Sequence, residues 1–328
     1  MTKTQRVSAP DIHALVVGRL SGLVSPEQAH TLATIITDAE LDGVHTHGLK
    51  RLQRLLDELQ AGGIQPQGQL SCTASLGSWE VWDGGAAPGP LSALSCTERS
   101  VQLAQAQGIG CVSLRNTNHW LRPGYYGKQA AAQGCALLCW SNTLPNVVPH
   151  GGRHASIGNN PLTIALPTQP LPMVLDMALS QFSYGKLQAY AERKELLPVE
   201  GGYDAEGQAT RDPQTVQQQL SASAIGLWKG TGLSMALDML AALLSGGQST
   251  DEIGRGGEEF NISQVFIAID LVRLYGAGQL AQRSAELLEQ LQRINPQVRW
   301  PGQGLAQRRQ QHEQHGVEIE SAFWRSLQ

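Results

Sequence analysis

Between Leu49 and Gln60 the chain reads LKRLQRLLDELQ, with Leu49, Leu52, Leu55, Leu56 and Leu59 on one stripe of a 3.6-residue period. This spacing predicts an amphipathic helix from about Gly48 to Gln60, whose apolar face needs a core to pack on. The preceding residues, GVHTHG, put Thr46 and His47 at the amino-terminal edge of that helix. There the unpaired N–H groups and the helix dipole favour a neutral imidazole or an anionic ligand. Arg51, four residues after His47, can share its face. A hydroxyl, an imidazole and a guanidinium so placed suit acid–base chemistry on a small carboxylate. They equally suit an ordinary cap followed by two surface side chains.

The rest of the chain alternates helical and strand-like segments. Asp11 to Val24 is apolar-periodic, and Ser25-Pro26-Glu27 opens a second helix with a capping residue and a proline. Helices are expected over Leu91 to Gln107, Tyr126 to Gln133, Trp228 to Gly247 and Gly278 to Arg293. Buried strands are expected over Gly108 to Asn116, Cys135 to Asn142, Asn160 to Thr168, Pro172 to Ser180 and Gln264 to Leu271. The glutamine-rich stretch from Gln303 to Gly316 reads as a solvated helix. The organisation this implies is an amino-terminal helical portion (1–68), a sheet domain (69–270) and a carboxy-terminal helical portion (271–328) packing against the first.

Of the 328 residues, 41 % are hydrophobic and 16 % charged, which describes a globular chain long enough to bury a large core. A net charge of −4 provides no basic field for nucleic acid or anionic membranes. The start lacks a signal-peptide pattern, and no apolar run approaches the roughly 20 residues that span a bilayer. A cytoplasmic location is therefore expected, and the five scattered cysteines read as reduced and mostly buried thiols.

Four further features bear on chemistry. The dinucleotide fingerprint G-x-G-x-x-G between a strand and a helix is missing, so any nicotinamide cofactor is bound by a different fold. His119, in NTNHWLRPGYYG at a strand exit, is either a ligand-loop histidine or one packed under Trp120. The polar, glycine-rich PHGGRHASIGNNP could approach a ligand or simply connect two strands. Asp176 stands inside the apolar run PMVLDMALS, where a lone carboxylate needs a partner: an arginine, backbone donors or a histidine. Against an imidazole at about 4 Å, its attraction is worth roughly 4 kcal/mol at an effective dielectric near 20. His45 and His47, or His150 and His154, could start a metal site, but no third ligand of known spacing accompanies them, so no metal is expected.

Taken together, the HG…R element (His47, Gly48, Arg51), LRNTNHW, DMALSQFSYG, LPVEGGYDAEG, WKGTGLSMALDML and ISQVFIAI resemble the malate/L-lactate dehydrogenase family that lacks a Rossmann fold. NHW and FSYG resemble its 2,3-diketo-L-gulonate-reducing branch. The resemblance implies an α/β (α+β-like) architecture of the L-sulfolactate-dehydrogenase type, with a large, mixed, mostly antiparallel sheet. It implies a homodimer transferring hydride from NADH or NADPH to a small sugar-derived 2-keto acid. Reduction of a cyclic imino acid, oxidation of a malate-, lactate- or ureidoglycolate-type hydroxy acid, and a catalytically silent ligand-binding relative are the alternatives. By position, His47 is the expected proton donor, Asp176 its charge partner and Thr46 the neighbouring hydroxyl. Arg51 would hold the substrate carboxylate, His119 would contact substrate or cofactor, and His119 or Asn118 would polarise the carbonyl; some relatives give the acid role to the second histidine. The cofactor would lie along Pro172, Met173, Val174, Leu175, Asp176, Met177 and Ala178, with Trp228, Lys229, Gly302, Gln303 and Gly304.

Overall fold

The computed structural model describes residues 3–328. The chain opens with β1 (Thr4–Val7), then α1 (Ala9–Leu20) and α2 (Pro26–Leu41). Ser25 starts α2 through a capping box with Gln28, as the Ser-Pro pair predicts. A single 3-10 turn, His45–His47, separates α2 from α3 (Leu49–Gln60). A hairpin comes next, β2 (Ser71–Leu76) and β3 (Trp79–Asp83), then α4 (Gly89–Gln107), β4 (Ile109–Thr117), α5 (Pro123–Ala132) and β5 (Cys135–Ser141). Beyond them lie β6 (Val147–Val148), β7 (Leu162–Leu166), β8 (Met173–Met177) and α6 (Tyr184–Glu192). The short β9 (Gly202–Tyr203), β10 (Ala209–Thr210), α7 (Pro213–Gln218) and β11 (Ala222–Ser223) lead to α8 (Trp228–Ser245) and α9 (Thr250–Gly256). The chain closes with β12 (Ile262–Asp270), α10 (Leu271–Tyr275), α11 (Ala277–Ile294), α12 (Gln303–His315), β13 (Val317–Glu320) and α13 (Ser321–Leu327).

The principal sheet has seven strands in the order β2-β3-β4-β12-β5-β7-β8. Only β3 and β4 run parallel; every other neighbouring pair is antiparallel, so the mixed, mostly antiparallel sheet expected from the resemblance is present. A smaller sheet, β10-β9-β11-β6, lies apart from it, and β1 pairs with β13.

Strand β12 explains the layering. Successive side chains of a strand point to opposite faces, and QVFIAI is apolar on both. Phe266 joins the larger core with Leu114, Trp120, Tyr126 and the leucine stripe of α3. Its neighbour Val265 packs on the other face with Trp140, Leu237 and Ala241, beneath α8. Burying one such phenylalanine stabilises the fold by roughly 1.5–3 kcal/mol. The core of the amino-terminal helices and that on one face of the sheet are continuous, and the His45–His47 turn lies against α2 and α3 with His47 stacked on His119, just beyond β4.

Candidate active site

Residues on either side of His47 fix its position. The N–H of Leu49, at the start of α3, donates to the Glu40 carboxylate at 2.7 Å. The other oxygen of Glu40 lies 2.5 Å from His45 Nδ1. Gly48 leaves room for this arrangement: a Cβ there would sit 2.2 Å from Glu40 Oε1. An acid from α2 thus satisfies the amino-terminus of α3, and the preceding turn holds Thr46 and His47 toward a cavity of about 840 Å³. The Thr46 hydroxyl lies 3.2 Å from His47 Nδ1, and Thr46 packs so closely on Gly185 of α6 that a Cβ there would fall 2.4 Å from its methyl.

The His119 ring lies parallel to that of His47, with centroids 5.8 Å apart and planes at 13°. The N–H of Leu121 donates to His119 Nδ1 at 3.0 Å. That bond makes Nδ1 the acceptor, so the neutral ring carries its proton on Nε2. Burial pushes His119 well below the usual histidine range, with the Arg51 charge adding to the effect. Burial, then Arg51, then Arg122, lowers His47 to about 4. Both imidazoles are neutral near pH 7 when the cavity holds no anion.

Asp176, on β8, lines the same cavity, yet it does not pair with His47. Its carboxylate accepts the N–H of Gly124 at 3.0 Å and the Thr163 hydroxyl at 3.4 Å, and Arg122 Nε lies 3.8 Å away. The expected direct His47–Asp176 ion pair is therefore corrected. Asp176 sits over the amino-terminus of α5, where backbone donors and an arginine supply what the histidine was expected to. Its side chain is 22 % exposed, toward the cavity it lines. Enclosure by protein nevertheless raises its pKa, with Arg122, the Gly124 N–H and Thr163 opposing that shift.

Arg51 reaches the cavity from α3, and its Nη2 lies 3.4 Å from Glu259, a residue just before β12. Asn118 is directed elsewhere. Its amide donates to the carbonyls of Ala86 and Ala87 at 3.1 Å, and it is buried behind the cavity wall. That occupies the donor expected to polarise a carbonyl, so its role is to shape the His119 loop.

The expected cofactor segment divides. Val174, Leu175, Asp176, Met177 and Ala178 line the cavity, whereas Pro172 and Met173 lie outside its wall. Gly302 lines it too, in a turn whose preceding residue, Pro301, accepts the Val174 N–H at 3.2 Å. With φ at +92°, Gly302 lies so close to β8 that a Cβ would come within 3.3 Å of the Val174 nitrogen. Gln303 and Gly304 are instead the first residues of α12 and do not reach the cavity. Trp228 and Lys229 open α8 away from it, with Trp228 66 % exposed.

These surroundings suit a dinucleotide. Strand β8 is an edge strand, and the Val174 N–H points outward from the sheet. By the alternation of an antiparallel ladder the N–H and C=O of Asp176 point the same way, offering a donor and an acceptor to a carboxamide. Arg299, which also lines the cavity, has no acid partner among the described residues and is free to meet an anion such as a diphosphate. Among the described residues no cluster of histidines, cysteines and acids could hold a metal.

Among the cavity residues not singled out in the sequence, Arg122 and Glu259 stand out for their charge contacts. Arg122 is buried between Asp42, to which Nη1 bonds, and Asp176. Glu259 binds both Arg51 and Arg54. Arg122 lies within the His119 loop, three residues further on, and a buried arginine there is the signal that could have drawn notice.

Comparison with known proteins places nearly the whole chain among oxidoreductases. The 2,3-diketo-L-gulonate reductase of Klebsiella oxytoca is 37 % identical over 315 residues, covering 94 % of this chain and 95 % of that protein. The protein of the same name from Citrobacter koseri is 37 % identical over 311 residues, 93 % of each chain. Among solved structures, the delta1-piperideine-2-carboxylate reductase of Pseudomonas syringae pvar. tomato superposes with a TM-score of 0.89 at 29 % identity, covering 99 % of both chains. The sulfolactate dehydrogenase of Methanocaldococcus jannaschii gives 0.88 at 26 % identity, over 98 % of this chain and 95 % of that one. The family model described as malate/L-lactate dehydrogenase matches residues 7–328, and the chain belongs to that family of oxidoreductases.

Proposed function

We propose that this protein is a cytoplasmic NAD(P)H-dependent reductase of the C2 carbonyl of a small 2-keto acid, with 2,3-diketo-L-gulonate the leading candidate. The observation that carries the reading is the stacked His47–His119 pair sharing one cavity with Arg51 and the free edge of β8. Reduced nicotinamide supplies hydride to the carbonyl carbon. Arg51 fixes the substrate carboxylate through its planar fork. The Nε2–H of His119 donates to the carbonyl oxygen as negative charge builds there. His47 delivers the proton that completes the alcohol.

The low proton affinity of His47 in the empty cavity fits this scheme. Burial is the main cause of that low affinity and the Arg51 charge the second; a carboxylate arriving at Arg51 offsets the second and so shifts His47 toward its protonated form. Asp176, beside Arg122 and the amino-terminus of α5, lines the same cavity without touching the ring. The backbone of β8, the Pro301–Gly302 turn and Arg299 would hold the cofactor.

A spectrophotometric screen of NADH and NADPH oxidation against 2,3-diketo-L-gulonate, pyruvate, oxaloacetate and piperideine-2-carboxylate tests the reading. Turnover with the diketo acid supports it. Exclusive turnover of the imine, the substrate class of the Pseudomonas relative, replaces it with imino-acid reduction. Cofactor binding without turnover of any of them marks a ligand-binding relative.

The functional unit in this proposal is a homodimer. Helix α8 buries Gly230, Ser234, Leu237, Ala241 and Ser245 against the sheet but exposes Met235, Met239, Leu240 and Leu243 on its far side. A helix apolar all round needs cover on both sides, and a second copy offering the same face supplies it.

A further inference from the structure

Five cations line the active-site cavity: Lys50, Arg51, Arg54, Arg122 and Arg299. Four already have acids. Lys50 meets Glu192 at 3.0 Å on the surface, and Arg54 meets Glu58 at 2.6 Å. Arg122 is held by Asp42 and Asp176. Arg51 touches Glu259 alone, through one nitrogen at 3.4 Å, and shares that acid with Arg54, also at 3.4 Å. Arg299 stands beside the Pro301–Gly302 turn, on the side assigned to the cofactor. At the substrate end of the cavity Arg51 makes a single weak bond, from Nη2, and leaves Nε and Nη1 unpaired, with the Glu259 carboxylate beside it; the unpaired Nε of Arg122 lies 3.8 Å from Asp176. Glu259 is itself only 9 % exposed, so solvent screens its charge weakly.

From this arrangement we infer that Glu259 is a specificity-determining residue that restricts the enzyme to keto acids carrying a single carboxylate. The first carboxylate of a substrate takes the edge of the Arg51 guanidinium that Glu259 leaves open, formed by one unpaired nitrogen and the second hydrogen of Nη2. A second one would find every nearby cation already matched and would face Glu259, and like charges brought together in a desolvated site are strongly disfavoured. Hydroxyl groups at the same place would instead donate to Glu259, so a polyhydroxylated monocarboxylate is accepted where a dicarboxylate is rejected. The inference rests on the keto-acid reductase reading and names the substrate class within it.

The test compares oxaloacetate with its C4 amide, 2-oxosuccinamate, which has nearly the same shape and one charge fewer. The wild-type protein should show kcat/KM at least about tenfold higher for the amide, and Glu259→Gln should bring the two within about threefold. Because the readout is a ratio between near-isosteric substrates, a general loss of folded protein leaves it unmoved. Calorimetric Kd values for succinate and its monoamide provide a second readout that needs no turnover, with the same narrowing expected. If keto acids are reduced but neither ratio changes in E259Q, the charge filter is wrong and the reductase reading stands. If no keto acid is reduced yet the Kd gap still closes, the filter stands and the reductase reading fails. A wild-type preference for oxaloacetate over its amide would overturn the inference outright.

Discussion

At the scale of single residues, the proposed proton donor is an imidazole that burial, Arg51 and Arg122 hold well below its ordinary proton affinity. Replacing His47 by Ala should lower kcat by about 10² or more, measured by NAD(P)H oxidation at saturating keto acid. His47 also leaves a mark on stability. Its folded pKa of about 4 lies below the ordinary value of 6.5, so between those limits the unfolded chain binds the extra proton. Stability due to His47 is complete above about pH 6.5 and is lost as pH falls toward 4. The 2.5-unit gap between those two values corresponds to an upper limit of roughly 3 kcal/mol, which water in the cavity reduces to about 1–3 kcal/mol. Urea titrations at pH 7 and pH 4 should show a smaller difference for His47→Asn than for wild type by that amount.

At the scale of elements, legibility followed period and length. Helices α1 to α3 and strands β4, β5, β7, β8 and β12 were readable because their apolar residues repeat over five or more positions. The hairpin β2–β3 was not, because its first strand, SCTASL, is exposed throughout and its brief alternation of Cys72, Ala74 and Leu76 with polar residues is interrupted by a register shift between Cys72 and Ala74. Strands β6, β9, β10 and β11 have two residues each, too few for any period. Helix α12 forms where expected but is not merely solvated, since its Arg309 and His312 dock onto α2. In the cavity, His47, Arg51, His119 and Asp176 were legible through their motifs. Arg122 and Glu259 were not, because their meaning comes from partners 80 and 208 positions away in the chain. Helix α8 carries the prediction at this scale. Leu243, 75 % exposed at the carboxy-terminal end of its apolar outer face, changed to Glu should shift the proposed dimer to monomer in sedimentation velocity.

For the molecule as a whole, one ionic cluster binds the amino-terminal helices, the sheet domain and the carboxy-terminal helix together. Asp38 and Asp42 on α2 meet Arg122 before α5, Lys128 on α5 and Arg309 on α12. With Asp176 opposite Arg122, three acids face three cations. Burial alone would raise Asp42, but Arg122, Lys128 and Arg309 hold its carboxyl below the ordinary range. Asp42→Asn would leave three cations short of an acid and should destabilise the fold by about 3–5 kcal/mol, read from the urea midpoint. The seven-stranded sheet, finally, is open, and its last strand leaves the Asp176 amide with no strand partner. Such an amide trades its hydrogen for solvent deuterium until something covers it. Adding cofactor should slow that exchange at Asp176 even in a variant that turns nothing over, so occupancy of the cleft can be followed separately from its chemistry.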